Sequence, residues 1–338
     1  MSNVITGVTD SVARELNWAL LPQHDATTIL DDTPDSDTNS LPGNFNLSDA
    51  YAARMGSDLL PPDLLTILGR DDVQLAGAAT GRGQVCRAVE KPDTTYDGLF
   101  VGAAGQTFPA NTPLNQIPGV TPGDGRQPNE TIIYVNGINT TKDGQAASLQ
   151  AIADRTGARV IGIHNATEGI VTDLGQCITD KLDKGKNPAV DTLADTVYNE
   201  IKAGRSVHLL AHSQGGLITS RALTHVYQRL RIEDGLSRTQ AERKLGLVKV
   251  ETFGAAAGHY PDGPQYVHYI NRDDPVPSLF GLGWDIDKLN PTLHPGRGAV
   301  IHWFTDIHLN PIASHSFEDV YLPRRVPFDQ ARRGNFDR

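Results

Sequence analysis

Ser213, an acid at Asp273 or Asp274, and a late histidine such as His315 are the residue types that together can make a hydroxyl attack a carbonyl carbon. A serine hydroxyl is a poor nucleophile at neutral pH. It needs a base to take its proton, and the base needs a third group to orient it. Ser213 stands in Ala211-His-Ser-Gln-Gly215, behind the apolar residues Val207, Leu209 and Leu210 and ahead of a long amphipathic stretch. This is a variant of the Gly-x-Ser-x-Gly elbow, with alanine in the first small position. Small residues two before and two after the serine suit a sharp strand-to-helix turn, where a larger side chain would strike the neighbouring strands. The serine is expected in a strained conformation with its hydroxyl exposed, and the helix behind it directs free N–H groups to where an oxyanion forms. His212, in the variable position of the elbow, reads as a structural residue rather than a base.

In a strand–elbow–helix arrangement the acid comes next and the histidine last. The apolar segment 265–270 runs into Asn271-Arg-Asp-Asp-Pro-Val-Pro277, which offers Asp273 and Asp274 at a strand's carboxyl end, with Pro275 and Pro277 stiffening the turn. Four histidines follow: His294, His302, His308 and His315. His302 falls in the apolar run 299–304 and is expected to pack in or beside a last strand. His315 lies beyond that strand where a final helix begins, so it is the expected base. Two oxyanion donors are required. One is the backbone N–H of Gln214, and the other is expected from Asn136-Gly-Ile-Asn-Thr140, where Gly137 lets the backbone bend close, Ile138 offers its N–H and Asn139 its side chain.

These residues need a scaffold that gathers loops at one edge. From Thr131 the chain alternates between short apolar runs and helical periodicity. Strands are expected at 131–135, 160–163, 207–210, 247–253, 265–270 and 299–304. Helices are expected around Ala146, Leu149 and Ala153, ending near Gly157, and along Val190, Leu193, Ala194, Val197 and Ile201, stopped by Gly204. Ile218, Ala222, Val226 and Leu230 mark the helix behind the elbow. Ser237 and Gln240 read as a capping box for a short helix closed by Gly246. Continuous apolar strands alternating with helices imply an α/β fold: a mostly parallel sheet with helices on both faces, functional residues gathering at the strands' carboxyl ends.

Residues 1–130 read differently. Asp31, Asp32, Asp35 and Asp37 suggest an acidic surface loop, and five prolines between 107 and 130 exclude a helix there and suggest an extended meander. The organisation expected is an N-terminal extension of unassigned fold over 1–130, packed on a catalytic domain over 131–338. The net charge of −10 argues against nucleic acid or an anionic membrane surface as the main partner. Cys86 and Cys177 are too few for a disulfide framework and are expected as buried free thiols. No run of about 18 apolar residues exists, so no transmembrane segment is expected. The first residues lack a basic start followed by an apolar run, so no ordinary signal peptide is expected and the chain is placed in the cytoplasm as made. Cys and His show no metal-ligand spacing, and no cofactor is implied.

Tyr134-Val-Asn-Gly-Ile138, Ala211-His-Ser-Gln-Gly215 and Asp274-Pro-Val-Pro277 together resemble the α/β-hydrolase superfamily, with likeness to bacterial lipases and fungal-type triacylglycerol lipases over residues 131 to about 322. In those enzymes the acid precedes a similar Val-Pro turn, so the resemblance implies Asp274 rather than Asp273. It departs from the family where Asn136-Gly137 replaces the usual His-Gly before the oxyanion donor. The resemblance implies a serine carboxylester hydrolase, lipase-like or phospholipase A-like, working through an acyl-enzyme on Ser213. The alternatives on the same triad are a small-ester hydrolase and an acyltransferase, and a non-catalytic hydrolase-fold interaction module stands beside them. Some bacterial lipases of this look are toxic effectors exported by dedicated machinery with a cognate inhibitor protein, which gives a second reading of partner and destination. Between Asp274 and His315, the residues Leu279, Phe280, Leu282, Trp284, Ile286 and Leu289, broken by glycines, suggest a mobile cover or acyl-chain wall over the serine.

Overall fold

Short runs of β-branched and aromatic residues build the sheet. The structure is a computed structural model that describes residues 94–138, 140–166, 187–283, 293–308 and 313–337. Asn139, Cys86, Cys177, the acidic stretch 31–37 and, from the expected cover, Trp284, Ile286 and Leu289 lie outside those residues. Eight strands are present: β1 (Phe100–Val101), β2 (Thr107–Phe108), β3 (Thr131–Val135), β4 (Arg159–Ile163), β5 (Val207–His212), β6 (Val248–Phe253), β7 (Gln265–Asn271) and β8 (Val300–Phe304). Their order is β2-β1-β4-β3-β5-β6-β7-β8. The six from β4 to β8 run parallel, and β1 is antiparallel to both β2 and β4. The fold is α/β with a mixed, mostly parallel sheet. The proline-rich stretch holds no α-helix, but it is not extended throughout: it turns through a 3-10 helix at Leu114–Gln116, and it contributes β2 and a bridge from Val120 to Val160 of β4.

Helices connect the parallel strands and carry their own start and stop signals. Thr141 caps α1 (Lys142–Thr156) by accepting the Gly144 N–H at 3.0 Å, and Gly157 ends it in the left-handed conformation at φ 75°. Asn187 caps α2 (Pro188–Lys202), whose first position holds a proline that has no N–H to lose. Behind the elbow, α3 (Gln214–Ile232) buries Ile218, Ala222, Val226 and Leu230, the stripe its i+4 spacing predicts. The capping box of Ser237 and Gln240 opens α4 (Arg238–Leu245) with both of its bonds formed. Side chains alternate across the strands, so the sheet has two apolar faces. On one, Ile132, Tyr134, Leu210, Phe253 and Tyr269 pack with Leu149 and Ile152 of α1 and with Phe317 and Tyr321. The other residues of β3 and β5, such as Ile133, Val135, Leu209 and Ala211, are equally buried, and α2 and α3 pack on each other and on these strands. Both faces being covered, the free edge of chemistry is the row of loops at the strands' carboxyl ends.

Candidate active site

Ser213 follows directly on β5 and has φ 56° and ψ −125°, one of two non-glycine residues with positive φ among the described residues. Such a backbone conformation costs on the order of 1–3 kcal/mol and persists only where the surroundings impose it. Here they do. The Ser213 N–H donates to the Phe253 carbonyl at 3.1 Å, and its own carbonyl accepts from Gly216 and Ala256, each at 3.0 Å. A Cβ on Gly215 would lie 2.2 Å from the Val135 carbonyl oxygen, so the second small position admits nothing larger than glycine. Ala211 is fully buried. Ser213 occupies the N-cap position of α3, yet its side chain makes no capping bond, which leaves the hydroxyl uncommitted to the helix. The expected exposure is not found: Ser213 is 2 % accessible, because β3, β6 and their loops close around it.

Asp274 lies just beyond β7 and is fully buried, while Asp273 is exposed. The Asp-Pro turn expected from sequence is the start of a short helix, α5 (Pro275–Phe280), with Asp274 as its N-cap. Oδ1 accepts the Val276 N–H at 2.9 Å, and Pro275 stands at a position where no N–H is needed. That leaves Oδ2 for two other donors. His315 Nδ1 lies 2.6 Å away and the Tyr321 hydroxyl donates from 2.5 Å. With Nδ1–H committed to a carboxylate, the tautomer this selects has its lone pair on Nε2. Nε2 is buried and has no hydrogen-bond partner among the described residues. A buried polar atom without a partner is rare enough in folded proteins to call for an explanation.

The loop that carries His315 is held from two sides. Asn271, at the end of β7, donates from Nδ2 to the Asp306 and Ser314 carbonyls, each at 3.1 Å, and accepts the Asp306 N–H at 2.9 Å. His212, next to the serine, lies 2.9 Å by Nε2 from the His315 carbonyl, and since a carbonyl can only accept, that nitrogen carries the proton. The two rings are 4.5 Å apart between centroids. Burial and the neighbouring His315 hold the His212 pKa well below its ordinary value, so the ring stays neutral. Tyr321 shows the reverse case: burial and the Asp274 charge push its phenol far above the usual range, which keeps it a donor.

Gly137 brings the loop after β3 against the elbow. A Cβ there would stand 2.9 Å from Ser213 Cβ and 3.4 Å from its Oγ. Neither the Ile138 N–H nor the Gln214 N–H donates to another described residue. Asn139, named with them from the sequence, lies outside the described residues. The rival histidines are placed elsewhere. His294 pairs with Asp262 and His308 with Asp306, while His302 lies in β8 and stacks on Phe336 at 3.9 Å. Sequence reasoning did not single out Tyr321, Asn271 or Asn165 as contacts of this site. Asn271 and Asn165 stand at or just past the carboxyl ends of β7 and β4, and that position was the available signal. Tyr321 had none beyond its place six residues after His315. Among the described residues there is no group of three or more His, Cys, Asp or Glu placed to hold a metal ion, and no helix long and apolar enough to cross a membrane.

No family model matches the chain, and no curated protein matches it. The crystal structure of Aspergillus fumigatus lipase B is similar at 16% identity with a TM-score of 0.24, over 62% of this chain and 43% of that one. This chain therefore spans less than half the length of that lipase. A likeness at that level bears on neither fold nor activity.

Proposed function

We propose that this protein is a serine carboxylester hydrolase of α/β-hydrolase type, acting on lipid esters. The observation that carries the reading is the buried Asp274–His315 pair, 2.6 Å apart, with His315 Nε2 left unpartnered and the His315 carbonyl tied to His212, the residue before a serine held at positive φ. In the proposed cycle Ser213 Oγ attacks the ester carbonyl carbon as His315 Nε2 takes the hydroxyl proton. Asp274 holds the ring and balances its positive charge. The oxyanion is met by the N–H groups of Gln214 and Ile138. The tetrahedral intermediate expels the alcohol, which leaves with the proton from His315, and Ser213 remains acylated. Water then attacks the acyl carbon with His315 again as base, releasing a carboxylic acid and restoring the serine.

Lipid as the substrate class rests on the apolar residues after Asp274. Of these, Leu279 and Leu282 are buried, while Phe280, at the end of the helix that Asp274 caps, is partly exposed. The test compares Ser213-dependent turnover of p-nitrophenyl acetate, a long-chain p-nitrophenyl ester and phospholipid vesicles. Fatty acid release from vesicles that vanishes in Ser213→Ala is the expected result. Turnover of the acetate alone would leave a small-ester hydrolase, and no turnover of any ester would overturn the reading.

A further inference from the structure

Two buried asparagines beside the serine have no part in the cycle above. Asn136 follows β3 and Asn165 stands two residues past the end of β4, and both are fully buried. The strand ladder between β3 and β4 ends at Val135 and Ile163. Beyond it the two chains are joined through a side chain: Asn136 Oδ1 accepts the Asn165 N–H at 2.9 Å, and Asn136 Nδ2 donates to the Asn165 carbonyl at 2.9 Å. The same Nδ2 donates to the Gly137 carbonyl at 2.8 Å, and Thr140 Oγ1 approaches that carbonyl at 3.2 Å. The Gly137–Ile138 peptide is trans, so fixing its carbonyl on one side aims the Ile138 N–H to the opposite side. Asn165 completes the set by donating from Nδ2 to Gln214 Oε1 at 2.7 Å. Gln214 is the first residue of α3, and its backbone N–H is the other proposed donor. One buried amide cluster thus grips both residues whose N–H groups would face the oxyanion.

We infer that Asn165 is a positioning residue for the oxyanion hole, setting the Gln214 and Ile138 donors through Gln214's side chain and Asn136. The inference rests on the reading of Ser213 as an ester-attacking nucleophile. Donors fixed before reaction cost no reorganisation as charge develops, and they act on the transition state more than on the bound ester. Weakening them should therefore lower kcat and leave KM nearly unchanged.

The test uses the full chain. Asn165→Asp keeps the shape and the backbone bonds to Asn136 but replaces the donor to Gln214 by an oxygen and adds negative charge beside the forming oxyanion. It is expected to lower kcat by on the order of 10–100-fold with KM within about threefold. Its activity relative to wild type should recover as pH falls, because the protonated carboxyl regains a donor and loses its charge. Asn165→Ala and Gln214→Ala, alone and combined, guard against misfolding of the first variant. If Asn165 acts through the Gln214 side chain, the double variant is no slower than the slower single one. Folded Asn165 variants with wild-type kcat, a loss confined to KM, or additive losses with Gln214→Ala would overturn the inference. A wild-type protein that neither hydrolyses esters nor reacts with a fluorophosphonate at Ser213 would instead overturn the nucleophile reading beneath it.

Discussion

The two ends of the parallel sheet both bury polar side chains, and they do so in opposite ways. Glu251, in the middle of β6, is fully buried and reaches toward the amino ends, where its Oε1 meets His208 Nε2 at 2.8 Å, and it also meets Arg325 Nη2 at 2.7 Å. The other His208 nitrogen reaches Glu130 at 3.0 Å. Charges there are paired with charges, beside a cavity of about 1000 Å³ lined by Glu130, Arg159, His208 and Lys249 among others. At the carboxyl ends the polar groups are mainly neutral amides, imidazoles and one carboxylate. Several of their atoms, His315 Nε2 and the Gln214 and Ile138 N–H groups, have no partner among the described residues. Paired charge ties Arg325 of the C-terminal segment to the sheet, whereas the unpartnered polar atoms at the carboxyl end stand on the loops around a strained serine. That cavity is lined by residues at the strands' amino ends, and Ser213 is not among them. Glu251 Oε2 also lacks a described partner, so the amino-end pairing is incomplete.

The contrast can be broken by mutating each end and reading activity and stability separately. The largest effect is expected at the carboxyl end. His315→Ala and Asp274→Asn should each lower kcat/KM by on the order of 10³-fold or more, with near-wild-type melting, because such residues work as a unit. Steady-state kinetics alongside thermal unfolding checks both halves. At the amino end, Arg325→Met strips the guanidinium from a buried carboxylate and is expected to cost roughly 3–5 kcal/mol in urea unfolding. Activity per folded molecule should stay within about twofold. A large kcat loss there, with stability intact, would merge the two ends into one functional unit.

Much of the scaffold was legible because its signals are local. Apolar runs, the Gly157 stop and the Ser237–Gln240 box each act within a few residues, and elements formed where those signals stand. The closeness of Asp274 and His315 was legible too, since both follow strands at the sheet's carboxyl end. What escaped was set by the order of the strands. Asn165 meets Asn136 because β4 lies beside β3, and Asn271 meets Ser314 across 43 residues. No spacing in the chain announces either contact. The strands β1 and β2 escaped for a different reason: at two residues each, they are too short to show a period.

A smaller effect sharpens the account of the acid. Tyr321→Phe removes one of the two donors to Asp274 Oδ2 and leaves the ring in place, and kcat is expected to fall by roughly three- to tenfold. A change confined to stability would make Tyr321 a packing residue. The smallest effect is a pH slope at the other end. Burial opposes a charge on His208, but its hydrogen bonds to the Glu130 and Glu251 carboxylates outweigh it and raise its pKa above the ordinary 6.5. A raised folded pKa gives stability that is full below about pH 6.5 and is lost as pH rises through the folded value. The stability difference between wild type and His208→Gln should therefore shrink from pH 6 to pH 9. A constant difference across that range would contradict a raised folded pKa for His208.

The claim that the carboxyl end is a reaction centre built on Ser213 is tested most directly by a fluorophosphonate, which phosphonylates an activated serine with loss of fluoride. Intact mass and peptide mapping of the treated wild-type protein should show one adduct, on Ser213. The adduct should be absent from Ser213→Ala and strongly slowed in His315→Ala. No adduct on the folded wild-type protein, or one that persists in Ser213→Ala, would contradict the account.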